Sequence, residues 1–266
     1  NERTRHTGEV LTPLDEDGVR AAAVRLKDAD VAAVAVCLLH AYADGTHERR
    51  VREIILDECP GIVVCLSSEV AGELREFERT STTSINAATV PIITSYLDFL
   101  SSELRNMGLV RDLCVMQSNG GVITAKVARH LPVRTVMSGP SGGVVGGAYL
   151  SGAIGIEHAL TVDMGGTSTD IGVIADGRAL TVDEAEVDSW PILAPMIEIL
   201  AIGAGGGSIG WIDAGGGLRV GPQSAGAQPG PVCYRRGGLE PTVTDACVVL
   251  GRLDPDYFLG GGMGLD

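Results

Sequence analysis

The segment Leu160–Ile174, LTVDMGGTSTDIGVI, gathers groups able to handle a phosphate. Asp163 ends one β-prone arm. Gly165 and Gly166 form the turn, and Thr167, Ser168, Thr169 and Asp170 open the next arm. Backbone N–H groups at such a turn can cradle an anion, because no Cβ blocks close approach. The hydroxyls add donors, while Asp163 and Asp170 can hold a divalent cation or position water. A strand–Gly-Gly–strand segment is also an ordinary hairpin. An ordinary hairpin, however, needs no carboxylate on either side of its turn. No Gly-Lys-Ser/Thr follows, and the next arm is β-prone rather than helical, so this is not a Walker A loop.

Three further glycine-rich segments stand beside it. Gln117-Ser118-Asn119-Gly120-Gly121 follows a predicted strand, where α/β proteins place ligands, although Asn-Gly is also a common turn. Ser138-Gly139-Pro140-Ser141-Gly142-Gly143 leads into more small residues. A glycine-rich loop entering a helix can bind an anion, and it can equally serve close helix packing. Asn119, Gly120, Gly139, Ser141 and Gly142 are candidates for the substrate side. In the third segment Gly205, Gly207 and Gly210 match GxGxxG, the dinucleotide fingerprint. That reading needs a helix next, yet Trp211–Ala214 runs straight into Gly215-Gly216-Gly217. No acidic residue lies about 20 positions on, where a ribose partner belongs. The segment therefore reads as a second glycine turn followed by a hairpin. Further on, Thr244 or Asp245 can cap an apolar helix over 246–253, or that helix start can point at a nucleotide.

Elements to position these groups are legible. Asp15, Glu16 and Asp17 suit the start of a helix over 14–27, with Val19, Ala22, Ala23 and Leu26 on one face. Val31–Leu39 is a continuous apolar run typical of a buried parallel strand. Thr46 can cap a helix carrying Val51, Ile54 and Ile55, and Ile62–Leu66 reads as the next strand, completing a strand–helix–strand unit. Residues 70–108 read as mostly helical. Pro91 fits a first turn there, and Ile92, Ile93, Tyr96, Leu97, Leu100 and Leu104 form a stripe expected to pack in the core. Leu113–Gln117 is a short strand. Only six of the 37 glycines precede residue 120, so backbone-lined sites crowd the second half.

Composition narrows the function. The 266 residues are 45% hydrophobic, enough for a real core. Twenty basic against 34 acidic residues give a net charge of −14, which argues against a nucleic-acid partner. A nucleotide is still permitted, held by N–H groups and a cation. Cys37, Cys59, Cys65, Cys114, Cys233 and Cys247 form no CxxC pair and read as free thiols. The five histidines lack zinc spacing. The polar N-terminus does not resemble a signal peptide, and Val31–Leu39 is too short to span a membrane, so a cytoplasmic location is expected.

An ordered set of segments carries a family resemblance: Gly8–Leu14 (GEVLTPL), Val34–His40 (VAVCLLH), Gln117–Gly121, Ser138–Gly142, Asp163–Asp170, Ile202–Ile209, Val220–Pro231 (VGPQSAGAQPGP) and Pro241–Asp245. The chain resembles the hydantoinase A/5-oxoprolinase family, including the related ATP-dependent ketone carboxylase subunits. The resemblance implies an α/β fold of two ribonuclease-H-like halves around a nucleotide cleft, the actin/hexokinase architecture. It also implies ATP with Mg²⁺ or Mn²⁺. Phosphorylation of a cyclic amide oxygen, of hydantoin or 5-oxoproline type, would make a poor electrophile a good one for water. The carboxylases activate a ketone instead.

By the same resemblance, Asp163 and Asp170 are the catalytic and metal-holding carboxylates. Gly165, Gly166, Thr167 and Thr169 contact phosphate, while Gly205, Gly206, Gly207, Ser208 and Asp245 contact the nucleotide. A second subunit or domain of hydantoinase B type is the implied partner. The expected division is an α/β remainder of an N-terminal domain over 1–70 and a nucleotide-binding domain over 71–266. Family members carry another such hairpin earlier, and this chain has one only, so it is expected to be a central piece of a longer protein and incomplete as an ATPase fold. A non-catalytic assembly domain is the alternative for the isolated piece. Leu200 stands where the family usually has histidine.

Overall fold

A computed structural model describes residues 1–187 and 189–266. In chain order the elements are β1 (Arg3–Thr4), β2 (Val10–Thr12), α1 (Glu16–Asp28), β3 (Ala33–Val36), α2 (Thr46–Glu58), β4 (Val63–Leu66), α3 (Ser67–Val70), α4 (Glu76–Asn106), β5 (Cys114–Met116), β6 (Val122–Thr124) and α5 (Ala125–His130). They continue with α6 (Ser138–Ala153), β7 (Ala159–Met164), β8 (Thr169–Ala175), β9 (Arg178–Ala179), β10 (Thr181–Val187), β11 (Trp190–Ile197), β12 (Ile199–Ile202), β13 (Ser208–Ile212), β14 (Leu218–Ser224) and α7 (Val243–Val249). The chain forms two compact units. One comprises Asn1–Gly142 with Thr181–Ile197, the other Gly143–Leu180 with Glu198–Asp266.

In the first unit β3 and β4 pair in parallel, from Ala33↔Val63 to Val36↔Leu66, with α2 as the crossover between them. Asp15 caps α1 by accepting the Gly18 N–H at 2.9 Å. The expected strand over Val31–Leu39 is trimmed to four residues. Thr46 begins α2 rather than capping it, because the Asp44 carboxylate takes both its N–H (2.9 Å) and its hydroxyl (2.6 Å).

Pro91 starts no helix. It lies inside the 31-residue α4. The proline removes one helical hydrogen bond, but Asn86, Ala87 and Val90 are buried on one side of it and Leu97 on the other, so packing carries the helix through. The predicted stripe is divided. Ile93 and Leu97 pack inward, whereas Ile92 and Tyr96 face solvent. A core of Cys65, Val70, Ala87, Val90 and Val133 is completed by Ile192, Ala194 and Met196 of β11.

In the second unit the sheet order is β12–β8–β7, all antiparallel, with β9 pairing antiparallel to the end of β8. Register runs from Ala159↔Ile174 to Met164↔Thr169 and sets Asp163 directly opposite Asp170. Leu160, Val162 and Met164 of β7 and Leu200 of β12 leave one sheet face exposed. Helix α6 covers the other. There a Cβ on Gly172 would meet the Val144 side chain and stand 2.8 Å from Thr161 Oγ1, and one on Gly147 would meet the Thr161 methyl. Side chains packed directly against the two glycines leave no room for a Cβ at either position. Gly172→Ala is therefore expected to cost about 1–3 kcal/mol, as overpacking of a closed site does. Gly146→Ala meets nothing within 4 Å in the same helix and should be neutral or slightly stabilising. Urea denaturation of the two variants checks the contrast.

Candidate functional site

The β7–β8 turn is short and fully determined by backbone. Gly165 N–H bonds Ser168 O at 2.9 Å. Against this turn lies the second glycine segment. Gly206 N–H donates to Gly165 O (2.9 Å) and Gly207 N–H to Gly166 O (2.7 Å). Gly205 sits so close that a Cβ would stand 2.7 Å from both Gly166 C and Thr167 N. Ser208, fully buried, accepts the Gly205 N–H on its hydroxyl at 2.8 Å and shapes the bend. The Thr169 hydroxyl donates to Ala204 O, tying β8 to the same segment.

A third segment closes the assembly. The N–H and hydroxyl of Thr244 both donate to Gly206 O at 2.8 Å, and Ala225 N–H donates to Gly207 O at 2.8 Å. The result is a cavity of about 470 Å³ lined by Gly165, Gly166, Thr167, Gly206 and Gly207, then by Gly226, Ala227, Pro231, Tyr234, Arg236 and Thr244. That volume lies in the range of ligand sites. The N–H groups of Gly166 and Thr167 have no acceptor among the described residues, so they remain available at the cavity edge.

Five sequence candidates thus share one cavity: Gly165, Gly166, Thr167, Gly206 and Gly207. Gly205, Ser208 and Thr169 stand behind it and hold it together. Asp163 and Asp170 flank the turn on the α6 side of the sheet, where a Cβ on Gly143 would come within 4.0 Å of Asp163 Oδ2. They are not among the lining residues. Two facing carboxylates repel at this spacing unless a cation is shared. A pair of this kind suits Mg²⁺, which is usually held by one or two carboxylates together with substrate phosphates. Among the described residues no cluster of three or more His, Cys, Asp or Glu side chains could hold a metal alone.

The Asp245 carboxylate is engaged elsewhere than the cavity. It accepts from Thr242 N–H (2.7 Å) and hydroxyl (2.8 Å), Cys233 N–H (2.8 Å) and Val232 N–H (3.3 Å). Thr242, not Thr244 or Asp245, is the residue that caps α7, in a reciprocal box with Asp245. Burial pushes the Asp245 carboxyl upward, but the bonds from Cys233 and Thr242 outweigh it and hold its pKa below the usual carboxylate range. Burial, with Asp245 beside it, pushes the Cys233 thiol up to about 12.

The substrate-side candidates lie in the other unit, apart from the cavity lining. Ser138–Gly143 is no loop, since α6 already begins at Ser138. Ser141 is buried, its hydroxyl donating to Ser118 O (2.8 Å) and Met137 O (2.7 Å). Asn119 accepts the Gly121 N–H at 2.9 Å, and Gly120 takes φ 82°, which makes this an Asx-type turn. Gly139 and Gly142 lie in the helix. Tyr234 and Arg236 escaped sequence reasoning. The available signal was an Arg-Arg pair beside a tyrosine in an acidic chain.

A turn offering free N–H groups, braced by a second glycine turn and flanked by paired carboxylates, has the donors that an anion such as phosphate needs. The chain belongs to the hydantoinase/oxoprolinase family, whose profile matches residues 79–266, while the profile of the family's N-terminal region matches 1–59. It is 38% identical to the ATP-dependent caprolactamase from Pseudomonas jessenii, whose crystal structure superposes with TM-score 0.85 over 100% of this chain and 38% of that one. It is 35% identical to acetone carboxylase in its nucleotide-free structure, with TM-score 0.83 and the same coverages. The 5-oxoprolinase 1 of Arabidopsis thaliana is 40% identical over 94% of this chain and 19% of its own length. The mixed α/β fold is that of the two solved structures. The chain spans about two fifths or less of the length of these relatives. No helix among the described residues is long and apolar enough to cross a membrane.

Proposed function

We propose that this chain supplies one wall of an ATP site in an enzyme that activates a carbonyl by phosphorylation, and that the carbonyl belongs to a cyclic amide. One observation carries the reading: the free N–H groups of Gly166 and Thr167 at a cavity closed by Gly206 and Gly207. Oriented N–H groups neutralise phosphate charge without a lysine. The Thr167 hydroxyl adds a donor, and Asp163 and Asp170 would hold the Mg²⁺ or Mn²⁺ that offsets charge on the phosphates. The similarity to a caprolactamase and to 5-oxoprolinase supports the cyclic amide. The division near residue 70 remains our proposal for the boundary between an N-terminal remainder and the nucleotide-binding part.

The test is ring opening of caprolactam, hydantoin or 5-oxoproline by the full-length protein with Mg-ATP and any partner subunit. Asp163→Asn is expected to lower turnover by about a hundredfold or more with the fold intact, as loss of a phosphate-side electrostatic group does. ATP-independent ring opening, or full activity in that variant, would overturn the reading. Ketone carboxylation is the second reading, favoured by the likeness to acetone carboxylase. Dependence on bicarbonate with a ketone substrate would select it. A second subunit of hydantoinase B type is the proposed partner in either case.

A further inference from the structure

We infer that Arg236 is the cationic contact for the phosphates in this cavity, and that Asp245 is the positioning residue that puts it there. The inference rests on the nucleotide reading above and extends it to residues outside the glycine turns.

The first observation is a missing charge. Gly165, Gly166, Thr167, Gly206 and Gly207 offer dipoles but no cation, and the chain as a whole is strongly acidic. Of the lining side chains, Arg236 alone is charged. The second observation is a contrast between neighbours. Arg235 is paired with Asp266 at 2.6 Å. Arg236 has no carboxylate partner among the described residues, and its recorded contact is Met263 Sδ at 3.7 Å, a weak acceptor. A planar guanidinium left unpaired in a cavity wall suits a multidentate anion such as phosphate.

The third observation explains the placement. Val232–Tyr234 forms one short 3₁₀ turn, and Arg235 ends it in the left-handed region at φ 56°. The chain reverses there, which separates Arg235 from Arg236. What fixes the turn is the Asp245 carboxylate, which accepts the N–H groups of Val232 and Cys233 while locked in the capping box with Thr242. Tyr234 packs against Phe258 with ring centroids 5.5 Å apart, forming the apolar part of the same wall. Asp245 thus reaches the ligand through the loop it anchors.

The experiment is calorimetric titration of the full-length protein with Mg-ATP, Mg-ADP and adenosine, for the unsubstituted protein, Arg236→Ala, Arg236→Lys, Asp245→Asn and the Arg236→Ala/Asp245→Asn pair. Arg236→Ala should weaken Mg-ATP by about 10–100-fold, the range for a charged hydrogen bond, and adenosine less than about twofold. Arg236→Lys should recover part of the loss. Asp245→Asn should weaken Mg-ATP as well, yet add nothing in the Arg236→Ala background, the signature of two residues acting as one. Unchanged Mg-ATP affinity in Arg236→Ala overturns the inference and leaves the nucleotide reading standing. Additive losses in the pair, or equal losses for adenosine and ATP in Asp245→Asn, overturn the positioning role. If the unsubstituted full-length protein binds none of the three ligands, the nucleotide reading falls and this inference with it. Arg236 is exposed, so its variants are expected to fold.

Discussion

In Gly205→Ala, thermal unfolding should begin well below that of the parent chain and Mg-ATP binding should be lost. A Cβ at this position meets backbone, 2.7 Å from Gly166 C, 2.7 Å from Thr167 N and 2.8 Å from Gly165 O. No flexible side chain is there to yield. Either the β7–β8 turn or the 203–207 segment must move, and the bonds from Gly206 and Gly207 to that turn go with it. Overpacking of this kind costs about 1–3 kcal/mol, or roughly 5–20 °C for a unit of this size. The informative companion is Gly166→Ala. Its Cβ would meet nothing within 4 Å, yet Gly166 lines the cavity. That variant should melt like the parent and still bind Mg-ATP about tenfold more weakly, since a methyl beside the free N–H groups hinders close approach. Equal behaviour of the two variants in melting would show that Gly205 is not a buttress.

Glu48→Ala is expected to be the most destabilising single substitution in the first unit. Glu48 is fully buried, and its carboxylate accepts four hydrogen bonds: from Leu38 N–H (2.9 Å), Ser67 hydroxyl (2.6 Å), Ser68 N–H (2.9 Å) and Ser68 hydroxyl (2.7 Å). These bonds tie α2 to the end of β3 and to the first turn of α3. A buried carboxylate with every lone pair occupied is tolerated, whereas its removal strands donors in a dry interior. The cost should be about 3–5 kcal/mol. Glu48→Gln should be intermediate, since its amide accepts on one oxygen and presents an NH₂ to neighbours that are themselves donors. Midpoints of urea unfolding measure both, and a loss under about 1 kcal/mol in Glu48→Ala would contradict the account.

What could be read beforehand follows the range of the interactions involved. The β7–β8 hairpin was legible because alternation, a Gly-Gly turn and flanking carboxylates all lie within one short segment. The second glycine turn and its β13–β14 hairpin were legible for the same reason. Pro91 misled because a proline is judged by its neighbours, while α4 is held by Asn86, Ala87, Val90 and Leu97 packing on other elements. The cap of α7 is Thr242 rather than Thr244 or Asp245, since Thr242 and Thr244 are equivalent in type and differ only in which hydroxyl meets the Asp245 N–H. Glu48 looks like any acidic residue in a helix's first turn. Nothing local tells that Ser67 and Ser68 will enclose it. Tyr234 and Arg236 join the cavity from some 70 residues beyond the hairpin, through an anchor at Asp245 that itself read as a nucleotide contact. The excursion of β10 and β11 into the first unit left no mark in the sequence at all.

The two glycines at the contact between α6 and the sheet have a consequence for how errors are prevented. Strand β8 offers the helix one bare position, Gly172, between Asp170 and Ile174 on the same face. Sliding β8 by two residues would present a full side chain where Val144 and Thr161 leave no space. Helix and hairpin therefore act as key and lock for alignment: only one pairing of the arms lets the helix seat. The location of the Gly165–Thr167 tip is checked by volume several residues away, and a misaligned hairpin would announce itself as an undocked helix rather than as a displaced loop.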